Sequence, residues 1–282
     1  MSNDQQLSQQ IEDILVARNP RGMSQIKAAL TPGYCLRAAQ ILQTCIQQKP
    51  GATILIGTGF PVVGTFETDG PVGAIALYDS LEHLGAVPVL VCGQPLVGVL
   101  AERYRTHAIR VGEHVHIEGE TLAALNHLNP QAIVSIERPG QAQDGHYYNM
   151  RGENISSACA SFDYFLSTAS CPTIAIGDGG NEIGMGNIAS TIEQLDIIPS
   201  ATRCDELLIA DEWVGILSVV HCLLDYQRIV MQLQEYLRWD DLAVIPAVGA
   251  FGDSPLFKRV YWLEDGNTDG LALELAMLSI FE

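Results

Sequence analysis

Short apolar runs recur along this chain at intervals that leave room for one helix between successive runs. Residues 53–56, 87–92, 132–136, 173–176 and 207–210 are each mainly apolar without polar alternation, and 107–111, although it carries His107 and Arg110, reads as a further strand. A strand buried on both faces reads this way, whereas a strand with one wet face alternates. Between them, residues 71–84, 95–104 and 120–128 carry helical spacing, the first with a proline in its opening turn. Strands alternating with helices of roughly ten to fifteen residues predict a mostly parallel sheet covered on both faces. The expected fold is a doubly wound α/β, Rossmann-like three-layer sandwich.

Two regions fall outside that rhythm. Residues 5–16 read as a helix followed by a turn at 19–22, placed over a sheet edge or in an oligomer contact. Residues 239–257 mix apolar side chains with Pro246, Gly249, Gly252 and Pro255, and residues 271–281 read as a terminal apolar helix. The expected division is a helical extension over 1–32 and one α/β domain over 33–282, with no linker or repeat between.

The charge balance removes whole classes of function. With 15 basic against 33 acidic residues, a net of −18, nucleic acid and anionic membrane surfaces would be repelled over most of the protein. No stretch of about 18 apolar residues offers a membrane span. The seven cysteines contain no Cys-x-x-Cys pair and read as reduced, buried thiols. The amino terminus has neither the apolar core of a secretory leader nor the arginines of a transit peptide, which predicts a cytoplasmic protein.

In open α/β sheets, ligands bind beyond the carboxyl ends of the strands. Four strand ends in this sequence deliver carboxylates there: Glu67 and Asp69 after the first, Glu137 after the fourth, Asp178 and Glu182 after the fifth, Asp211 and Glu212 after the sixth. The fifth is the most unusual, Gly177-Asp-Gly-Gly-Asn-Glu-Ile-Gly-Met-Gly186. Five glycines are expected only where the backbone takes positive φ or approaches something closely. Carboxylates gathered in one crevice need a cation or a shared proton. Glu67, Asp69, Glu137, Asp178 and Glu182 form the expected ligand pool for magnesium or manganese. A plainer reading of Asp69-Gly70 and Asp178-Gly179 is the Asp-Gly turn. Gly184-Met-Gly-Asn-Ile-Ala189 matches a dinucleotide fingerprint, yet starts eight residues beyond the strand ending at Ile176, so no nucleotide cofactor is expected. Walker, Gly-x-Ser-x-Gly and His-Glu-x-x-His motifs are absent.

Several strings together resemble the D-glutamate cyclase family: Gly59-Phe-Pro, Glu67-Thr-Asp-Gly-Pro-Val-Gly-Ala74, Ser135-Ile-Glu-Arg-Pro-Gly140, Tyr148-Asn-Met-Arg-Gly152, the loop at 177–186 and Thr268-Asp-Gly-Leu271. The resemblance runs from about residue 33 to the carboxyl terminus. It implies a lyase that converts D-glutamate, or a related amino acid, to 5-oxo-D-proline and water with manganese or another divalent cation. Glu137, Asp178 and Glu182 are then the expected catalytic residues, Glu137 and Asp178 on the metal and Glu182 in proton transfer. Arg138 and Arg151 suit the substrate's α-carboxylate in two-point geometry. Thr58, Tyr148, Asn149 and Asn181 complete the expected substrate-binding set, with residues 140–152 as a lid.

This chain departs from the family pattern in carrying Asp211-Glu-Trp-Val-Gly215 after the sixth strand and Phe251-Gly-Asp-Ser-Pro255 near its end. Two alternatives stay open: a metal-dependent phosphoester hydrolase, and a member that binds a ligand without catalysis.

Overall fold

A computed structural model describes residues 3–16, 21–62, 65–66, 69–112 and 116–210. Glu67, Asp211, Glu212, the segment 251–255 and the expected helix at 271–281 lie outside the described residues.

The six expected strands all form: β1 (Thr53–Thr58), β2 (Val87–Cys92), β3 (Thr106–Ala108), β4 (Ala132–Ile136), β5 (Thr173–Gly177) and β6 (Glu206–Ile209). They make one sheet in the order β3-β2-β1-β4-β5-β6, with every neighbouring pair parallel. That is the strand order of dinucleotide-binding folds, and it reverses between β1 and β4. Thr58 pairs with Ile136, and Ile136 with Ile176, so the carboxyl ends of β1, β4 and β5 are level and open on one crevice.

Consecutive residues in five of these strands are buried, which is why their sequences do not alternate; the edge strand β3 is only partly covered. Ile54, Leu55 and Ile56 are all fully buried, as are Ile133 and Val134. Burial of each such side chain contributes about 1.5–3 kcal/mol, and only a sheet covered on both faces can bury neighbours on opposite sides. α4 (Asp69–His83) packs on β1, β2 and β4, and α6 (Ile117–Leu128) precedes β4. The helix expected at 95–104 ends early, as α5 (Leu96–Leu100).

α3 (Tyr34–Gln48) has no counterpart among the expected elements, and it packs on β4 and β6. Its buried face is Tyr34, Cys35, Ala38, Ala39, Leu42, Cys45 and Ile46. Helical spacing is present, but alanine and cysteine supply much of it, so the apolar signal is weak.

α1 (Asn3–Leu15) lies on α3 and buries Ile11 and Leu15 in the main core. It also caps its neighbour. Glu12, fully buried, accepts from the backbone amides of Gly33 at 3.0 Å and Cys35 at 3.2 Å, and Ser8 Oγ accepts from Leu36 N at 3.0 Å. α3 has no side-chain cap of its own, and a carboxylate at its positive end is favourable.

Candidate active site

The crevice at the β1/β4 reversal is built from three strand ends. At the end of β4, Glu137 has φ 46°, its amide bonds to Ile176 O at 3.0 Å, and its side chain is buried. A left-handed backbone is costly for any residue with a side chain, and such residues cluster at functional sites. Opposite it, a Cβ added at Gly70 would stand 3.0 Å from Glu137 Oε2 and 3.3 Å from Thr58 Oγ1. Glycine at this position therefore lets the first turn of α4 close on both side chains, and the positive end of the helix favours the Glu137 carboxylate.

Arg138 is almost fully buried and stacks over Phe162, 5.6 Å from the ring centroid. It donates to Thr58 O at 2.7 Å and to Ala160 O. Burial lowers the guanidinium's affinity for its proton, partly offset by the neighbouring Cys92 and Cys159. Thr58 and Arg138, with Gly59, Gln94 and Ala160, line a cavity of about 30 Å³. Thr58 Oγ1, Arg138 Nε, Ser135 Oγ and Asn181 Oδ1 are buried with no hydrogen-bond partner among the described residues. Buried polar atoms without partners are costly, and a polar ligand in the cavity could satisfy those of Thr58 and Arg138, which line it.

The loop beyond β5 turns inward. Asp178, Asn181 and Glu182 are exposed by only 5%, 2% and 3%. Glu182 Oε2 accepts from Gly179 N at 3.2 Å and Gly180 N at 2.8 Å. Burial pushes the Glu182 carboxyl up, opposed by Arg21, backbone amides and a hydrogen bond with Asp178. Two carboxyl groups this close to full burial disfavour being ionised together. The loop's glycines are explained largely by close packing. A Cβ at Gly179 would lie 2.7 Å from Met150 Sδ, and one at Gly184, whose φ is 95°, 2.4 Å from Ala175 Cβ.

Sequence reasoning missed Arg21. Its Nη1 stands 2.7 Å from Asp178 Oδ2, across 157 residues of chain. The only local signal was a basic residue in the turn expected at 19–22, in a chain with 15 basic residues.

The segment expected to act as a lid spends its polar groups on itself. Tyr148 OH donates to Asp144 at 2.5 Å, and Asn149 Nδ2 donates to Glu153 at 2.7 Å. Asn149 Oδ1 accepts from the amides of Arg151 and Glu153, each at 3.0 Å, and Arg151 is exposed. The segment joins the loop beyond β5 through Asn181 Nδ2, which donates to Tyr148 O at 2.8 Å. At its base, unexpected from sequence, buried Asp163 accepts from Gln141 N at 2.8 Å and Tyr147 OH at 2.6 Å.

The described donors do not fit a divalent cation. Among the described residues no three His, Cys, Asp or Glu side chains gather closely enough to hold one. Asp178 is paired with Arg21 and Glu182 is bound to backbone amides. Glu67 lies outside the described residues, and Asp69 opens α4. The six described cysteines are free thiols. Burial pushes Cys92 up to about 11 and Cys159 up to about 12, which keeps both protonated and poor nucleophiles.

The family model described as D-glutamate cyclase-like, C-terminal, matches residues 11–227. The chain belongs to this family. The match begins within α1 and so takes in Glu12 and Arg21, earlier than the resemblance at about residue 33 implies; the strings at 251–255 and 268–271 fall beyond it. The human mitochondrial D-glutamate cyclase is 29% identical over 213 residues, 65% of this chain. The aligned region spans about a third, 34%, of that relative's length. No described helix is long and apolar enough to cross a membrane.

Proposed function

We propose that this member of the D-glutamate cyclase-like family is a lyase that closes D-glutamate, or a closely related amino acid, to 5-oxo-D-proline with loss of water. The observation that carries the reading is the gathering of three buried acidic side chains, Glu137, Asp178 and Glu182, just beyond level strand ends. Ring closure needs a neutral amine, an attack by its nitrogen on the γ-carboxyl carbon, and two protons on the departing oxygen. Glu182 takes a proton from the substrate ammonium, and the freed amine forms the new C–N bond. The C–O bond breaks as the two protons lost by nitrogen pass to the oxygen, which leaves as water. A carboxyl group held above its ordinary range by burial suits both halves of that transfer. The substrate brings its own nucleophile and electrophile, so the protein mainly folds the chain into the attacking conformer. Thr58 and Arg138, at the adjoining cavity, bind the α-carboxylate.

The test is incubation of the purified protein with D-glutamate, following loss of primary amine and appearance of 5-oxoproline by NMR. Turnover that disappears in Glu182→Gln supports the reading. No 5-oxoproline from D-glutamate or related amino acids, with turnover of a phosphoester, would replace it.

A further inference from the structure

We propose that Arg21 is a built-in cation of the carboxylate centre, standing at Asp178 and Glu182 where the sequence alone predicts a divalent metal. The claim concerns the free protein and holds whether or not D-glutamate is the substrate.

The first support is the pairing itself. A carboxylate as buried as Asp178 needs a counter-charge, and Arg21 Nη1 supplies it at 2.7 Å. Its charge also reaches Glu182, where it opposes the effect of burial. A metal ion bound by this pair would sit beside a guanidinium, and like charges at that range repel strongly. Arginine keeps its charge at every physiological pH, so the repulsion cannot be relieved by proton loss.

The second support is how Arg21 is held. Its neighbour Gly22 has φ 83°, and a Cβ there would lie 3.0 Å from Leu195 Cδ2. The chain then enters α2 (Met23–Lys27), whose Met23 and Ile26 are fully buried. Arg21 is therefore fixed from its carboxyl side by a close backbone approach and two core side chains. Its own side chain is 33% exposed. Such a group can offset the charge of an incoming carboxylate, the task otherwise given to a metal.

The third support is the donor atoms. Glu182 Oε2 already accepts two backbone amides, from Gly179 at 3.2 Å and Gly180 at 2.8 Å. A cation entering here would have to displace protein donors as well as Arg21.

The experiment is a manganese titration followed by the EPR signal of free aqueous Mn²⁺, run on wild type, Asp178→Asn, Arg21→Met and the double variant. Wild type and Asp178→Asn are expected to bind manganese equally, through whatever other site the chain has. Arg21→Met is expected to bind about tenfold tighter or more, and the double variant to lose that gain. The proposal is overturned if Asp178→Asn weakens binding, since Asp178 would then be a metal ligand in the native protein, or if a folded Arg21→Met binds no tighter. Should Arg21→Met fail to fold, the comparison of wild type with Asp178→Asn decides alone. Each readout is independent of substrate turnover.

Discussion

Two polar, glycine-containing segments flank the same crevice and have opposite fates. The loop at 177–186 turns Asp178, Asn181 and Glu182 inward to near-complete burial, where Asp178 meets Arg21, Glu182 accepts from backbone amides and Asn181 donates to Tyr148 O. In the segment 144–153, Tyr148, Asn149 and Glu153 bond to partners within four residues and stay partly or fully exposed. Both read as site material in sequence. The difference teaches that polar composition marks chemistry only where burial separates the groups from water and local turns do not use them up.

Activity should divide the two most sharply. Asp178→Asn and Glu182→Gln are expected to lower kcat for ring closure by about 10²–10⁴-fold, while Tyr148→Phe and Asn149→Ala stay within about tenfold of wild type. Steady-state kinetics on folded variants checks this, and an equal loss on both sides would erase the contrast.

Backbone packing gives the next largest effect. Gly184→Ala must accommodate both φ 95° and a methyl 2.4 Å from Ala175 Cβ, so a loss of about 3 kcal/mol is expected. Gly152→Ala shares the left-handed backbone, at φ 72°, but its nearest atom is Ile198 Cδ1 at 3.6 Å. A cost of about 1–2 kcal/mol is expected there. Guanidinium denaturation of both variants measures the gap.

The buried carboxyl makes stability depend on pH. Glu182 titrates in the folded protein above its ordinary value of 4.5. Its contribution is therefore fully present below about that pH and is lost as pH rises through the elevated folded value. Glu182→Gln should remove that decline from a plot of Tm against pH. An unchanged slope would mean that folding does not raise the affinity of this carboxyl for its proton.

The smallest effect is expected at Arg151. Arg151→Ala should shift stability by less than about 0.5 kcal/mol, as an exposed side chain does. A KM for D-glutamate raised more than about tenfold with kcat unchanged would attach this segment to the bound substrate and break the comparison from the other side.

What the sequence determined by itself was the sheet and the level at which chemistry is sought. Apolar runs and helical spacing are local patterns, so β2 and β4 follow the expected bounds, Val87–Cys92 and Ala132–Ile136, residue for residue. The carboxylates after β4 and β5 follow from the same patterns. α3 escaped because alanine and cysteine supply much of its buried face. Only the tertiary structure decided which groups meet. Arg21 reaches Asp178 across 157 residues, Arg138 is engaged by Thr58 O and Ala160 O, and Gly70 brings α4 against Glu137. Periodicity reports which face of an element is buried. It carries no term for which distant side chain will supply the counter-charge, and in a crevice of buried carboxylates that partner decides what the site can hold.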